Sequence, residues 1–161
     1  MNLKRWALVL CAAAAAVLLT GCGAQKEETG KGTADDAPAS LLEKVNMVAE
    51  DAAGLAPLTA EDLEDVLGIV SEDCRDFVFL QSAGTDGREI LVVLAADADA
   101  AKRVAEMAEA YLERRLDETR NYAPEAYRLL TQAKVQARNL TVALVVGPDA
   151  AKEAEAILSG N

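Results

Sequence analysis

Apolar residues along this chain recur first at helical spacing, then at strand spacing, then repeat that change once more. From Ser40 onward, Leu41, Val45, Val48 and Ala52 fall on one stripe. Ser40 and Glu43 make a capping box, and Gly54 is the stop. A second, shorter helix opens at Thr59 with Asp62 three residues on, Leu58 and Leu63 as a hydrophobic staple, and Gly68 as its end. The period then becomes that of a strand at Phe77 to Leu80. A turn over Gly84 to Gly87 follows, and Ile90 to Ala96 is apolar throughout, as a central strand should be.

Asp97 or Asp99 caps a long helix with Ala101, Val104, Ala108, Tyr111 and Leu112 on its inner stripe. Pro124 at the first helical position makes Ala123 the cap of a short helix to about Leu130, with Tyr122 and Tyr127 in staple positions. Strict alternation follows, with Ala133, Val135 and Ala137 on one face and Lys134, Gln136 and Arg138 on the other. A tight turn at Arg138 and Asn139 leads into an apolar strand, Leu140 to Val146. Pro148 starts a last helix that turns Ala151, Ala154, Ile157 and Leu158 inward. The expected fold is α+β: a four-stranded antiparallel sheet from two ββα-like halves, helices mainly on one face, and an N-terminal helical lead.

The residues before Ser40 have another character. Lys4 and Arg5 precede an apolar run from Trp6 to Leu19, too short to cross about 30 Å of hydrocarbon as a stable helix, so the run reads as an export signal. Leu19-Thr20-Gly21-Cys22 closes it and resembles a lipobox, in which the cysteine thiol takes a diacylglyceryl group and becomes the first mature residue. The chain thus divides into a lipoprotein signal peptide (1–21), a lipidated Cys22 with a disordered tether (22–39), and a single α+β domain (40–161). Gly23 to Ala39 has almost nothing large and apolar to bury. The expected address is the outer face of the cell membrane, with the lipid on Cys22 as the membrane contact.

Charge narrows the partners. Asp and Glu number 27 against 16 Lys and Arg, a net charge of -11, and removal of Lys4 and Arg5 makes the mature chain more acidic still. Phosphate contacts need a basic patch, so nucleic acid is not an expected partner. With Cys11 lost and Cys22 lipidated, Cys74 stands alone and no internal disulfide can form. The chain has no histidine, the commonest general base and zinc ligand, so neither a metal nor a cofactor is expected.

Several pieces in order, Glu89-Ile90, Arg115-Leu116, Tyr122 to Tyr127 and Asn139, together with the lipobox and the ββα blocks, resemble a family. It comprises small Gram-positive lipoproteins known only as domain of unknown function number four-three-five-eight. The resemblance runs from about Leu41 to Ser159. It brings no reaction, cofactor or catalytic residue, and it implies an accessory role in the cell envelope linked to surface polysaccharide acylation. Arg138 stands where a Gly before Asn139 would make an easier turn.

Helical geometry puts Arg115 on the inner arc of the long helix, about 27 Å from Asp97. Glu89 lies about 23 Å back along the preceding strand, at the same end of the sheet. A partly buried ion pair between Glu89 and Arg115 is therefore expected, with Tyr122 to Tyr127 nearby. Two roles remain open for it: closing the end of the sheet, or contacting a small anion or peptide through Arg115, Tyr122 and Tyr127. Cys74 reads as a small core residue. The acidic clusters at Glu61 to Asp65 and Glu72 to Asp76 lack the alternation and central Gly of a calcium loop and read as solvated helix ends. Lys134, Gln136 and Arg138 form a basic stripe that either docks an acidic strand or polymer or guards the strand against foreign pairing. No spacing singles out a carboxylate pair for glycoside hydrolysis.

The expected function is that of a non-enzymatic interaction module that supports an envelope protein partner. A small-ligand binding or sensing lipoprotein is the alternative, and an envelope hydrolase stands third.

Overall fold

The structure is a computed structural model that describes residues 40–160. The expected signal peptide, Cys22 and the expected tether all fall outside the described residues. Ser40 caps α1 (Leu41–Val48) through a complete capping box with Glu43, its hydroxyl accepting from the Glu43 amide at 3.2 Å. The helix ends six residues before Gly54. At Ala49 the backbone turns extended, and a 3-10 turn over Glu50–Ala52 redirects the chain. The buried stripe is accordingly Leu41, Val45 and Ala49, while Val48, expected inside, is 37% exposed.

The four expected strands are preceded by an unexpected fifth. β1 (Ala56–Pro57) adds to the sheet edge opposite Gln81 and Leu80, and the Leu58 amide extends the contact to the Phe79 carbonyl at 2.8 Å. Two residues have no readable period, and proline is tolerated there because the edge leaves one side of the strand without a ladder to complete. α2 (Ala60–Leu67) follows, with Thr59 and Asp62 as its capping box and Gly68 at φ 77° closing it.

β2 (Cys74–Gln81) and β3 (Glu89–Ala95) form the first hairpin; α3 (Ala98–Thr119) and α4 (Pro124–Leu130) follow it. Asp97 is the cap of α3, its Oδ1 accepting from the amides of Asp99 and Ala100 at 2.9 and 2.8 Å. β4 (Val135–Arg138) and β5 (Thr141–Val146) form the second hairpin, and α5 (Ala150–Ser159) ends the fold. The two-residue turn at its tip holds Asn139 at φ 55°, a left-handed conformation that Asn tolerates better than most residues. The sheet is antiparallel throughout in the order β1-β2-β3-β5-β4, so β3 and β5 are central and their side chains are almost wholly buried.

The helices are not gathered on one face. Phe79, Leu91, Val93, Val142 and Leu144 pack with residues of α2, α3 and α4. Val78, Leu80, Ile90, Val92, Ala143 and Val145 pack with α1 and α5 on the opposite side. The reason lies in β3 and β5 themselves: strands apolar on both faces require cover on both. Each fully buried Leu, Ile or Val contributes roughly 1.5–3 kcal/mol, so a single exposed face would forfeit much of the core. In α5 the inward residue of the first turn is Ala150, with Ala151 exposed, and Glu153 is also enclosed.

Candidate functional site

Glu89 is the first residue of β3, paired with Gln81 on β2 and Val146 on β5. Alternation along the strand sends its side chain to the same face as Leu91 and Val93, beneath α3. There it is 0% exposed. Its partner from α3 is Tyr111, which lies on the stripe of Ala100, Val104 and Ala108 and is itself buried. The Tyr111 hydroxyl donates to Glu89 Oε2 at 2.8 Å, and the Gln81 amide donates to the same oxygen at 3.2 Å. Phe79 meets the Tyr111 ring edge to face, with centroids 6.4 Å apart.

Two cations flank that ring. The guanidinium carbons of Arg114 and Arg115 lie 5.4 and 5.9 Å from its centroid, within cation–π range. Arg114 also donates to the Val66 carbonyl, tying α3 to α2. Arg115 lies close enough for its charge to favour ionisation of Glu89, yet the two make no ion pair within 4.0 Å among the described residues. The expected direct pair is thus replaced by an arrangement in which Tyr111 stands between strand and cation. Glu89 Oε1 and Arg115 Nε are both buried without a hydrogen-bond partner.

Burial governs the electrostatics. Loss of water pushes the Glu89 carboxyl above its ordinary range, against the opposing pull of Arg115, Tyr111 and Gln81. Burial and, after it, the adjacent Glu89 push the Tyr111 phenol well above the ordinary phenol range. The pair therefore holds its protons tightly, which suits a structural hydrogen bond more than a base awaiting substrate.

The tyrosine segment is only partly gathered here. α4 reaches the β2–β3 turn, where Gly87 at φ 75° meets Ala126 so closely that a Cβ on Gly87 would lie 2.6 Å from the Ala126 Cβ. That contact brings α4 to the end of the sheet where Glu89 lies. Tyr127 is half-buried, but Tyr122 is 90% exposed, so the expected staple does not bury it. Neither tyrosine has a side-chain hydrogen bond or ring contact to Arg115 among the described residues. Tyr111 and Gln81 are the partners that the sequence reading passed over. A buried tyrosine hydroxyl needs a partner, and Gln81 follows from the hairpin register once the turn is placed.

Surface cavities lie elsewhere. One of about 200 Å³ is lined by Leu63, Cys74, Arg75 and Phe77, and another of about 140 Å³ by Leu42, Pro57 and Phe79. Glu89, Tyr111 and Arg115 line neither. Cys74 is half-buried, with Sγ 3.6 Å from the Val70 carbonyl, and burial followed by the charge of Asp73 pushes its thiol up. Within the acidic clusters, Asp62 caps α2. Asp73 is 7% exposed and accepts from Arg103 of α3, whose Nε lies 3.2 Å from Oδ2. No group of three or more Cys, Asp and Glu side chains is placed to hold a metal ion among the described residues.

The model of the family described as a domain of unknown function (DUF4358) matches residues 48–147, more than half of the chain. The chain belongs to this family. No curated protein and no solved structure matches it. The DUF4358 match is narrower than the expected span of Leu41 to Ser159. It contains the whole sheet together with α2, α3 and α4, and hence Gln81, Glu89, Tyr111, Arg115, Tyr122 and Tyr127. Nearly all of α1 and the whole of α5, the two helices on the opposite face, fall outside it.

Proposed function

We propose that this DUF4358 protein is a lipid-anchored, non-enzymatic module at the outer face of the cell membrane, where it supports another protein of the envelope. The observation that carries the non-enzymatic part is the closure of the Glu89 site. Its carboxyl is fully enclosed, its donors are internal side chains, and neither of the cavities described above reaches it. An active or ligand site needs convergent polar groups on an accessible concave surface, whereas the polar groups here converge inward. The anchor rests on the sequence, Lys4 to Leu19 followed by the lipobox ending at Cys22. No helix among the described residues is long and apolar enough to cross a membrane.

Two measurements test this reading. Metabolic labelling with a fatty-acid analogue should mark the full-length chain and leave Cys22→Ala unmarked and released from membranes. Equal labelling of both would refute the anchor. Crosslinking in living cells, with capture of the tagged full-length protein, should recover one envelope protein in near-stoichiometric yield. A consistent failure to recover any would overturn the partner reading.

A further inference from the structure

β4 is an outermost strand. Val135 to Arg138 pair with Leu144 to Thr141 of β5. Among the described residues no other element hydrogen-bonds the backbone of Lys134 to Asn139. Every second amide and carbonyl of this edge therefore points outward, an available template for another strand. On one face Val135 packs toward the core beneath α3. On the other, Lys134 and Gln136 face α5, and Arg138 bonds to the Ser159 hydroxyl at 3.0 Å.

A cavity of about 200 Å³ lies along that second face, lined by Gln132, Lys134, Gln136, Val145, Ala150 and Ala151. A neighbouring cavity of about 220 Å³ shares Gln132, Ala150 and Ala151 with it and continues past Gly147 and Pro148 to Asp149 and Lys152. Together they make one groove beside the free edge, with an apolar floor and basic walls, Asp149 being the acid at its far end.

The charge here runs against that of the molecule. In a chain with 27 acidic residues there is none between Glu125 and Asp149, while Arg128, Lys134 and Arg138 all fall in that stretch. This local excess argues against a second copy as the occupant. Two β4 edges paired antiparallel about Gln136 would set Lys134 of each strand opposite Arg138 of the other, and like charges directly opposed destabilise a strand pair. An acidic strand reverses the sign of both contacts.

We propose that the β4 edge takes an extended acidic peptide segment of a partner protein as an added antiparallel strand. Its carboxylates, four residues apart on the groove side, meet Lys134 and Arg138, and a residue between them lies against Gln136 over the floor of Val145 and Ala150. This assignment rests on the interaction reading above and names its surface.

The test titrates purified full-length protein in detergent with fluorescently labelled synthetic peptides and follows anisotropy. The probe is an alternating peptide with Glu at positions four apart. Its counterparts carry Lys at those positions, or the Glu sequence with alternate backbone amides N-methylated. The Glu peptide should bind at least about tenfold tighter than the Lys peptide, and Lys134→Glu with Arg138→Glu should reverse that order. N-methylation should weaken the Glu peptide by a similar factor, since it removes the donors of the added ladder. Equal binding of the two charges overturns the proposal. Full retention of affinity by the N-methylated peptide also overturns it, in favour of an acidic polymer held by charge alone. In cells, a partner captured equally by wild type and the doubly charge-reversed variant would refute this edge while leaving the interaction reading intact, whereas absence of any partner with wild type would refute that reading itself.

Discussion

The Tyr111 hydroxyl donates to Glu89 Oε2 across 2.8 Å, joining the middle of α3 to the first residue of the central strand β3. The bond closes one end of the layer between helix and sheet with a polar contact where an apolar one would suffice. It also fixes the position of the helix along the strand, because the hydroxyl reaches only one residue of β3. Phe79, Arg114 and Arg115 also lie against the ring.

Tyr111→Phe should therefore destabilise the protein by about 1–3 kcal/mol, the cost of leaving a buried acceptor without its donor while the ring volume is kept. Urea unfolding at neutral pH measures it. A change within error of zero would mean that Gln81 alone satisfies Glu89.

Glu89→Gln gives a pH-dependent result. Burial raises the folded-state pKa of Glu89 above its ordinary value of 4.5. The native state therefore keeps this proton over a range where the unfolded state has released it, and stability falls as pH rises. The stabilising contribution is complete below the ordinary glutamate range and is lost as pH climbs through the raised folded value. Glutamine cannot titrate, so unfolding free energies of wild type minus variant, measured across the acid to neutral range, should decline with pH and then level off. A difference that grows with pH would show that Arg115 outweighs burial and that the carboxylate is held ionised.

Asp73 has the opposite sign. Its hydrogen bonds to Arg103 hold the carboxyl below its ordinary value of 3.8, against a smaller contribution from burial. Its stabilisation is present above that value and is lost as pH falls through the depressed one. Asp73→Asn should lower the urea midpoint at neutral pH, and the gap from wild type should narrow under acid. A gap that stays constant down to the acid limit would assign the loss to packing between α3 and the 3-10 turn Ser71–Asp73 that leads into β2, instead of to charge.

Much of this was legible in the sequence because local chemistry and tertiary demand agreed. Ser40 with Glu43, Thr59 with Asp62, Asp97, and the apolar run of β3 each mark an element that forms at that place. β1 escaped because two residues show no period, and its strand state comes entirely from pairing with Leu80 and Gln81. Cover on both faces was implied by β3 and β5 but masked by the polar stripe of β4, whose Lys134 and Gln136 border a groove beside α5 and not open water. At the Glu89 site, helical phase brought Arg115 to the correct end. It could not show that Tyr111, one turn earlier, would take the direct bond. Residues four apart share a helix face, so proximity to a strand end does not decide which of them makes the contact.

Gly87 provides the most local test of how α4 is held. Its φ of 75° is strained for any residue with a Cβ, and such an atom would lie 2.6 Å from the Ala126 Cβ. Gly68 has a similar φ of 77° but nothing within 4 Å. Gly68→Ala should therefore cost only the backbone strain, about 1 kcal/mol. Gly87→Ala should cost that and a further 1–3 kcal/mol or so from overpacking against α4. Ala126→Gly in the Gly87→Ala background removes the clash but not the strain, so the pair should couple favourably in a double-mutant cycle of unfolding free energies, by roughly 1 kcal/mol or more. Equal losses for the two glycine variants, or additivity across the cycle, would mean that α4 is not seated on the β2–β3 turn and that the segment from Tyr122 to Tyr127 stands apart from the Glu89 end of the sheet.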